Sequence, residues 1–371
     1  MENLTEARRL RGIELSLIRK VLQSAPPEAI NLALGELGFP LPEILRHKAL
    51  ELLQTSTPVY TPNAGIAELR DAVAARYPGA VADSVCICNG AEEAIFITLL
   101  SLIDPGDTVA IPDPDYPAYS SICNILEAKV IRLPYESDLL SVDWDRWEVL
   151  LAGGVKVLIF SHPSNPCGHV FSAEEVERLS TICSENGVAM VIDGIYDTLC
   201  FSEPPPSFCG RSKSLFMIGG LSKSHCMSGW RLGWVVSPPS LAASVIKARQ
   251  YISTCSNWLS QHLGSFALTP TGMQSAKTAL GLLKDSRRFA LQRMGHSLER
   301  VLVPTASPFL MLKVDGDDLK YSQKLAGKGV ICVPGRAFGE VSRGWLRINI
   351  GVPQEKLSPA LDIICDELSL Y

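Results

Sequence analysis

The stretch Gly219-Gly220-Leu221-Ser222-Lys223-Ser224, followed closely by Met227-Ser228-Gly229-Trp230-Arg231-Leu232-Gly233, decides how this chain reads. A lysine amine becomes a nucleophile only when it can shed its proton near neutral pH, which takes desolvation or a cationic neighbour. Arg231 can be that neighbour, or its rigid fork can clamp a phosphate. Two ordinary readings compete. A nucleotide phosphate loop requires glycine directly before the lysine and a second glycine five residues earlier, and Ser222 and Met217 occupy those places. A lysine exposed in a surface loop is the other, and the rest of the chain has to decide between it and a reactive amine.

With 371 residues, 47% hydrophobic and 20% charged, the composition is that of a folded protein with room for two domains and a sizeable core. A net charge of -5 and the lack of any lysine- or arginine-rich block give no electrostatic footprint for nucleic acid. The eleven cysteines are scattered, without a Cys-x-x-Cys pair or a closely spaced histidine cluster, so they read as reduced thiols and no metal site is expected. The opening MENLTEARRLRGIELSLIRK mixes Glu2, Glu6 and Glu14 with its arginines and fits neither a signal nor a transit peptide. No apolar run approaches the roughly 18 residues that span a bilayer. The expectation is a cytoplasmic protein without a membrane partner.

Short apolar runs bounded by Gly, Pro or Asp alternate with helical stretches through the middle of the chain. Val85-Cys88, Thr108-Ile111, Lys129-Leu133, Val155-Phe160, Ala189-Ile192 and Ser214-Ile218 read as strands, and Glu92 to about Ile103 and Ala173-Asn186 as helices. Such alternation predicts an α/β fold with a mostly parallel sheet between helices. After about residue 265 the pattern changes to a long helix from Gln274 to about Val301, strands Phe309-Val314 and Trp345-Ile350, and a final helix Leu357-Leu370, predicting a smaller α+β domain.

Ligands of open parallel sheets bind beyond the carboxyl ends of the strands, and the polar motifs fall there. Asn89-Gly90-Ala91-Glu92 ends a strand and opens a helix, where free N–H groups and the helix dipole suit a phosphate; a plain strand-to-helix turn is the alternative. Proline brackets Tyr116 in Asp113-Pro114-Asp115-Tyr116-Pro117-Ala118-Tyr119, fixing the backbone of an aromatic that can cover a flat ring or serve the core. His162-Pro163-Ser164-Asn165-Pro166-Cys167-Gly168 is a turn that offers Asn165 as a neutral donor. Asp193 ends an apolar strand in Asp193-Gly194-Ile195-Tyr196 and reads as either a functional carboxylate or a turn aspartate. Arg347, between apolar neighbours in Trp345-Leu346-Arg347-Ile348-Asn349, needs an anionic partner, whether ligand or salt bridge.

Taken in order, Tyr60, Gly90, Tyr116, Asn165, Asp193, Tyr196, Lys223, Arg231 and Arg347 resemble the site residues of class I/II aminotransferases, the fold-type I group of pyridoxal 5'-phosphate enzymes, over about residues 30 to 350. The resemblance implies that Lys223 carries the cofactor as a Schiff base and that Asp193 pairs with the pyridinium nitrogen. It gives the phosphate to Gly90, Ala91, Arg231 and Ser222, the last in place of a hydroxyl common at the position of Gly220. Tyr116 would stack on the ring, Asn165 and Tyr196 would donate to the phenolic oxygen, and Arg347 would hold the substrate α-carboxylate, with Gly35 and Asn165 also facing substrate. Tyr60 would reach the phosphate of a neighbouring subunit, implying a homodimer. The N-terminal segment would join the C-terminal part, dividing the chain into a large domain at 41–264 and a small one from 1–40 and 265–371.

The function so implied is transfer of an amino group between an L-amino acid and a 2-oxo acid. A lyase, cyclase or synthase on the same fold would keep nearly every residue named, and acceptor dependence separates the two readings. A non-catalytic regulatory protein is disfavoured, since binding alone does not require both Lys223 and Asp193 and the residues before the fold lack basic character. His162, Cys167 and His225 are unusual for the family and are expected to bear on substrate choice. The amino donor stays open.

Overall fold

The computed structural model describes residues 5–295 and 298–369. Its centre is a seven-stranded sheet in the order Val85–Cys88, Gly233–Val236, Leu215–Gly220, Ala189–Asp193, Val157–Ser161, Thr108–Asp113, Lys129–Pro134. From Leu215–Gly220 to Lys129–Pro134 every pairing is parallel. These strands are continuous apolar runs because both faces are covered. Alternate residues go to opposite sides. Ile111, Ile159 and Val191 pack with Ile95 and Leu99 of the helix Ala91–Leu102 and with Val245 of Pro239–Ser253. Ala110, Leu158 and Ile192 pack with Trp147 of Trp144–Leu151 and with Val176 and Leu179 of Ala173–Glu185. The second of these helices opens on a capping box between Ser172 and Glu175, the sequence signature of a helix start.

One strand of this sheet was not expected. Gly233–Val236 lies antiparallel between Val85–Cys88 and Leu215–Gly220, and its four residues closely follow Arg231, which is left-handed at φ 50. Trp234 is buried and donates from its indole N–H to the Tyr77 hydroxyl at 3.0 Å.

Four of the remaining strands form an antiparallel sheet in the order Val333–Pro334, Trp345–Asn349, Phe309–Lys313, Val301–Leu302. The long helix runs Met273–Met294 rather than to Val301, because Gly295 at φ 51 ends it and Val301 pairs instead as an edge strand; residues 296 and 297 of the expected span lie outside the described residues. The last helix spans Gln354–Leu368, starting earlier than expected behind Pro353, and Leu370 lies outside the described residues. Near the N-terminus Ile30–Asn31 pairs in parallel with Val330–Ile331, and Ile18 and Val21 of the helix Leu17–Ser24 pack against Val333 and Phe338. Asn349 then donates from Nδ2 to the carbonyls of Leu34 and Glu36 at 2.7 and 2.6 Å, fixing the turn at Gly35. No helix among the described residues is long and apolar enough to cross a membrane.

The unexpected strand meets the start of the helix Ala91–Leu102 without side chains between them. A Cβ at Gly233 would stand 2.5 Å from Ala91 N and 3.0 Å from Gly219 O. Gly233→Val is therefore expected to destabilise the apoprotein by about 1–3 kcal/mol, the usual cost of overpacking. A thermal melt followed by circular dichroism measures it, and an unchanged midpoint would mean that the helix start can move aside.

Candidate active site

The carboxyl ends of the parallel strands, the first turn of Ala91–Leu102 and residues from the antiparallel sheet enclose a cleft of about 730 Å³. It is lined by Gly35, Ala91, Tyr116, Asn165, Asp193, Tyr196, Ser222, Lys223, Arg231 and Arg347. Gly90 stands immediately behind Arg231. Tyr60 lies outside the cleft on the surface, 88% exposed.

At one end, Gly90 is the N-cap of its helix at φ 96, a conformation that favours glycine. A Cβ there would overlap the Arg231 guanidinium, so the absence of a side chain is what lets the arginine lie along the helix mouth. Among the described residues Arg231 donates only to backbone carbonyls, Ser228 O at 3.2 Å and Asn89 O at 3.4 Å. Glu93, the acid that could have neutralised it, instead accepts from Asn89 N and sits 3.4 Å from Arg249. Free helix N–H groups beside a guanidinium without a carboxylate partner suit a phosphate, which is the fit that a phosphorylated cofactor requires. Gly220 cannot carry a hydroxyl here: a Cβ would be 2.9 Å from Leu232 O, the carbonyl opposite it at the start of the unexpected strand. Ser222, buried at the cleft wall, is the nearby hydroxyl.

In the middle, Asp193 ends its strand and is buried. Its Oδ2 accepts from the Tyr119 hydroxyl at 2.8 Å and its Oδ1 from Ile195 N at 3.2 Å. Burial pushes the carboxyl up to about 6, against the pull of those hydrogen bonds and of Lys223. Tyr119, fully buried, also meets Tyr116 edge-on with ring centroids 5.4 Å apart. The sequence alone gives Tyr119 no task, although its place one helical turn after Tyr116 is the available signal. Burial lowers Lys223 from the ordinary lysine value to about 8, with Glu36 opposing and Arg231 assisting. Glu36 itself accepts from the Ser228 hydroxyl at 2.8 Å.

At the other end, Arg347 is buried between the rings of Phe309 and Phe338, whose centroids lie 4.1 and 4.7 Å from its guanidinium carbon. Nη1 donates to Asn165 Oδ1 at 2.8 Å, Nη2 donates to Ala33 O, and Nε has no partner. No carboxylate among the described residues forms an ion pair with it, which removes the salt-bridge alternative. Burial draws its pKa down to about 10, so it remains a cation at neutral pH. An unneutralised guanidinium on a cleft wall suits a carboxylate ligand. Tyr196 packs edge-on to Phe309, and Gly35 runs so close that a Cβ would be 2.9 Å from that ring and 3.4 Å from the Tyr196 hydroxyl.

The three unusual residues are elsewhere. His162 is buried, lies stacked 5.5 Å from Phe171 and accepts from Phe171 N at 3.0 Å, a neutral role consistent with burial lowering it to about 3. Cys167 packs with Leu139 and Met311, and His225 is fully buried with Nδ1 2.7 Å from Ser224 Oγ. None lines the cleft, so the expectation that they select substrate is corrected. What does line it, and carried no sequence signal, is the N-terminal segment from Ile13 to Ser16 with Ile18 and Arg19.

The family described as Aminotransferase class I and II matches residues 27–364. An aspartate aminotransferase of Thermotoga maritima is 30% identical over 373 residues, covering 96% of each chain. A probable N-acetyl-LL-diaminopimelate aminotransferase of Bacillus subtilis is 28% identical over 375 residues, covering 98% of this chain and 95% of that one. The crystal structure of the aspartate aminotransferase from Thermotoga maritima superposes with a TM-score of 0.88 at 29% identity, over 98% of this chain and all of the other.

Two outcomes follow from the geometry. Because Lys223 titrates near 8, its free amine becomes about tenfold more abundant per pH unit up to that value and levels above it. The rate at which apoprotein captures pyridoxal 5'-phosphate, followed by stopped-flow absorbance, should trace that curve; a break at the ordinary lysine value would mean that the amine is solvated. Tyr119→Phe removes a hydrogen bond to a charged group, worth about 1.5–3 kcal/mol, and should weaken cofactor binding by roughly 10- to 100-fold in a fluorescence titration.

Proposed function

The chain belongs to the class I and II aminotransferases, and from that membership we propose that Lys223 is the residue that holds the cofactor and moves the substrate proton. The protein is a fold-type I enzyme dependent on pyridoxal 5'-phosphate, and it transfers an amino group between an amino acid and a 2-oxo acid. What carries the assignment of roles is the confluence of a desolvated lysine, a buried carboxylate and an unneutralised arginine in one cleft.

When bound, the cofactor supplies an aldehyde to combine with amines and an electron-withdrawing ring that stabilises a carbanion. The N–H groups at Gly90 and Ala91, the Ser222 hydroxyl and the Arg231 fork bind its phosphate. Asp193, kept ionised by Tyr119 and Ile195 N, pairs with the ring nitrogen and keeps it protonated. Tyr116 covers the ring face, while Asn165 and Tyr196 donate to the phenolic oxygen. Arg347 takes the α-carboxylate of the substrate, assisted by Asn165 and beside Gly35. The Lys223 amine, desolvated in the same cleft, would be the group that takes the substrate α-proton and gives it back, acting as base and then as acid.

The exposed apolar side chains of Leu50, Leu53, Val59, Tyr60, Tyr251 and Ile252 support a homodimer with Tyr60 directed to the neighbouring site. The loop that bears Tyr60 is tied to the end of Pro239–Ser253 through Asn63 Nδ2, which donates to Thr254 O at 2.7 Å. We take the chain to divide into a large domain at 41–264 and a small one from 1–40 and 265–371, and the enzyme to work in the cytoplasm. The two relatives carry different substrates in their names, so the donor is left to experiment.

The test is the visible spectrum of the holoenzyme with single amino acids and no oxo acid. A true donor converts the cofactor to its amine form in one turnover, and Lys223→Ala abolishes the conversion. Release of ammonia with continued turnover would instead make the enzyme a lyase.

A further inference from the structure

Two carboxylates in Asp113-Pro114-Asp115 have no part in the chemistry assigned above, yet both are buried at the carboxyl end of a sheet strand. Asp115 Oδ1 accepts from the Ser161 hydroxyl at 2.5 Å and from Tyr116 N at 2.7 Å, and Oδ2 accepts from Ser161 N at 3.1 Å. The Ser161 hydroxyl, its proton committed to Asp115, accepts in turn from Asn165 N at 2.8 Å. Asn165 then presents Oδ1 to Arg347. The contacts therefore run from Asp115 through the Ser161 hydroxyl to the backbone of Asn165, whose side chain meets the guanidinium, and Asp115, Ser161, Asn165 and Arg347 are all more than nine-tenths buried.

Asp113 acts on the segment that carries one of the rings against the same arginine. Its Oδ2 accepts from Glu340 N at 3.1 Å and its Oδ1 from Val341 N at 3.2 Å, while Asp115 N donates to Phe338 O at 3.2 Å. These bonds seat the segment that carries Phe338, one of the two rings enclosing Arg347. Gly339 is the residue that permits it, since a Cβ there would overlap the Asp113 carboxylate.

Resting on the reading of Arg347 as the α-carboxylate site, we propose that Asp115, through Ser161 and Asn165, and Asp113, through the Phe338 segment, are positioning residues that set the orientation of the Arg347 guanidinium for the substrate α-carboxylate. A guanidinium held on one edge by an oriented amide and on its faces by two rings keeps its remaining N–H groups aimed at a single place. Release of either arm would leave the charge but lose the aim. A carboxylate is the ligand that bidentate geometry discriminates, so the loss would fall on substrates that bear one. The effect is thus separable from general loosening of the cofactor pocket.

The experiment compares two amines that cannot lose an α-proton: 2-methylalanine, and tert-butylamine, in which a methyl group replaces the carboxylate. Dissociation constants for the holoenzyme come from visible absorbance titrations, with a thermal melt of each variant. Asp115→Asn keeps an acceptor for the Ser161 hydroxyl and Tyr116 N but turns an NH2 toward Ser161 N, a donor facing a donor, and Ser161→Ala removes the hydroxyl link while leaving the bond from Asp115 to Tyr116 N. Each is expected to weaken 2-methylalanine by roughly tenfold, the scale of one well-oriented hydrogen bond to a charged group, with less than about a twofold change for tert-butylamine. The double variant should be no weaker than the poorer single one, because both cut the same path. Should Asp115→Asn fail to fold, Ser161→Ala alone carries the test. Equal weakening of both amines, or no weakening of 2-methylalanine in folded variants, overturns the proposal. Arg347→Ala separates the premise from the inference: if it spares 2-methylalanine, the carboxylate assignment falls and this proposal with it, whereas selective loss in Arg347→Ala but not in the other two condemns only the positioning role.

Discussion

A guanidinium buried between two phenyl rings without a carboxylate to neutralise it is the constraint on which the rest of this structure depends. Removing a cation from water is costly, and proteins ordinarily neutralise it or keep it at the surface. Arg347 has instead an amide oxygen, a backbone carbonyl and two aromatic faces. Each of these comes from a different part of the chain. Asn165 follows a central strand, Ala33 belongs to the N-terminal segment, and Phe309 and Phe338 come from the antiparallel region. The fold has to bring those parts together before the charge can be accommodated, and the ligand then completes what the protein leaves unpaired.

The opposite end of the cleft solves a different problem by removing side chains. Gly220 and Gly233 face one another across two antiparallel strands, with Ala91 N pressed against Gly233. The helix mouth can therefore approach the sheet closely, and Arg231 crosses it in the space that a side chain at Gly90 would fill. A left-handed conformation at Arg231 turns the chain from the lysine loop into the next strand. Backbone geometry at Gly90, Gly220 and Gly233 thus gives Arg231 the room to lie along the helix mouth, where a phosphate is proposed to bind.

Much of this was legible in the sequence because the cleft residues sit at the ends of short apolar runs closed by Gly, Pro or Asp. That punctuation brought out Asp193, Asn165 and Lys223, a charge between apolar neighbours brought out Arg347, the resemblance gave each a role, and the four do meet in one cleft. What the sequence hid has physical reasons. Gly233–Val236 is four residues long and begins at a glycine, so neither length nor alternation marks it. Gly295 ended a helix whose apolar period ran on into an edge strand. His162 and His225 looked like pocket residues because polar side chains beside a motif suggest function, yet burial makes each of them a neutral core group. The wall formed by Ile13 to Ser16 with Ile18 and Arg19 is a tertiary contact between distant segments, which no local pattern encodes.

Burial also suits Lys223 to the roles of base and acid proposed for it. Desolvation disfavours whichever form is charged, so it lowers an ammonium and raises a carboxyl. Acting on Lys223 and Asp193 together, it draws values that begin at 10.5 and 3.8 to about 8 and about 6. Mutual attraction and the donors on Asp193 keep them from crossing, so the carboxylate remains the anion and the lysine the cation at neutral pH. A proton carrier works in both directions only when its affinity lies near the operating pH, since a much stronger base would not return what it takes. The closed walls that strip water from Lys223 are therefore part of its chemistry, and any change that admits water should return it toward an ordinary, one-way amine.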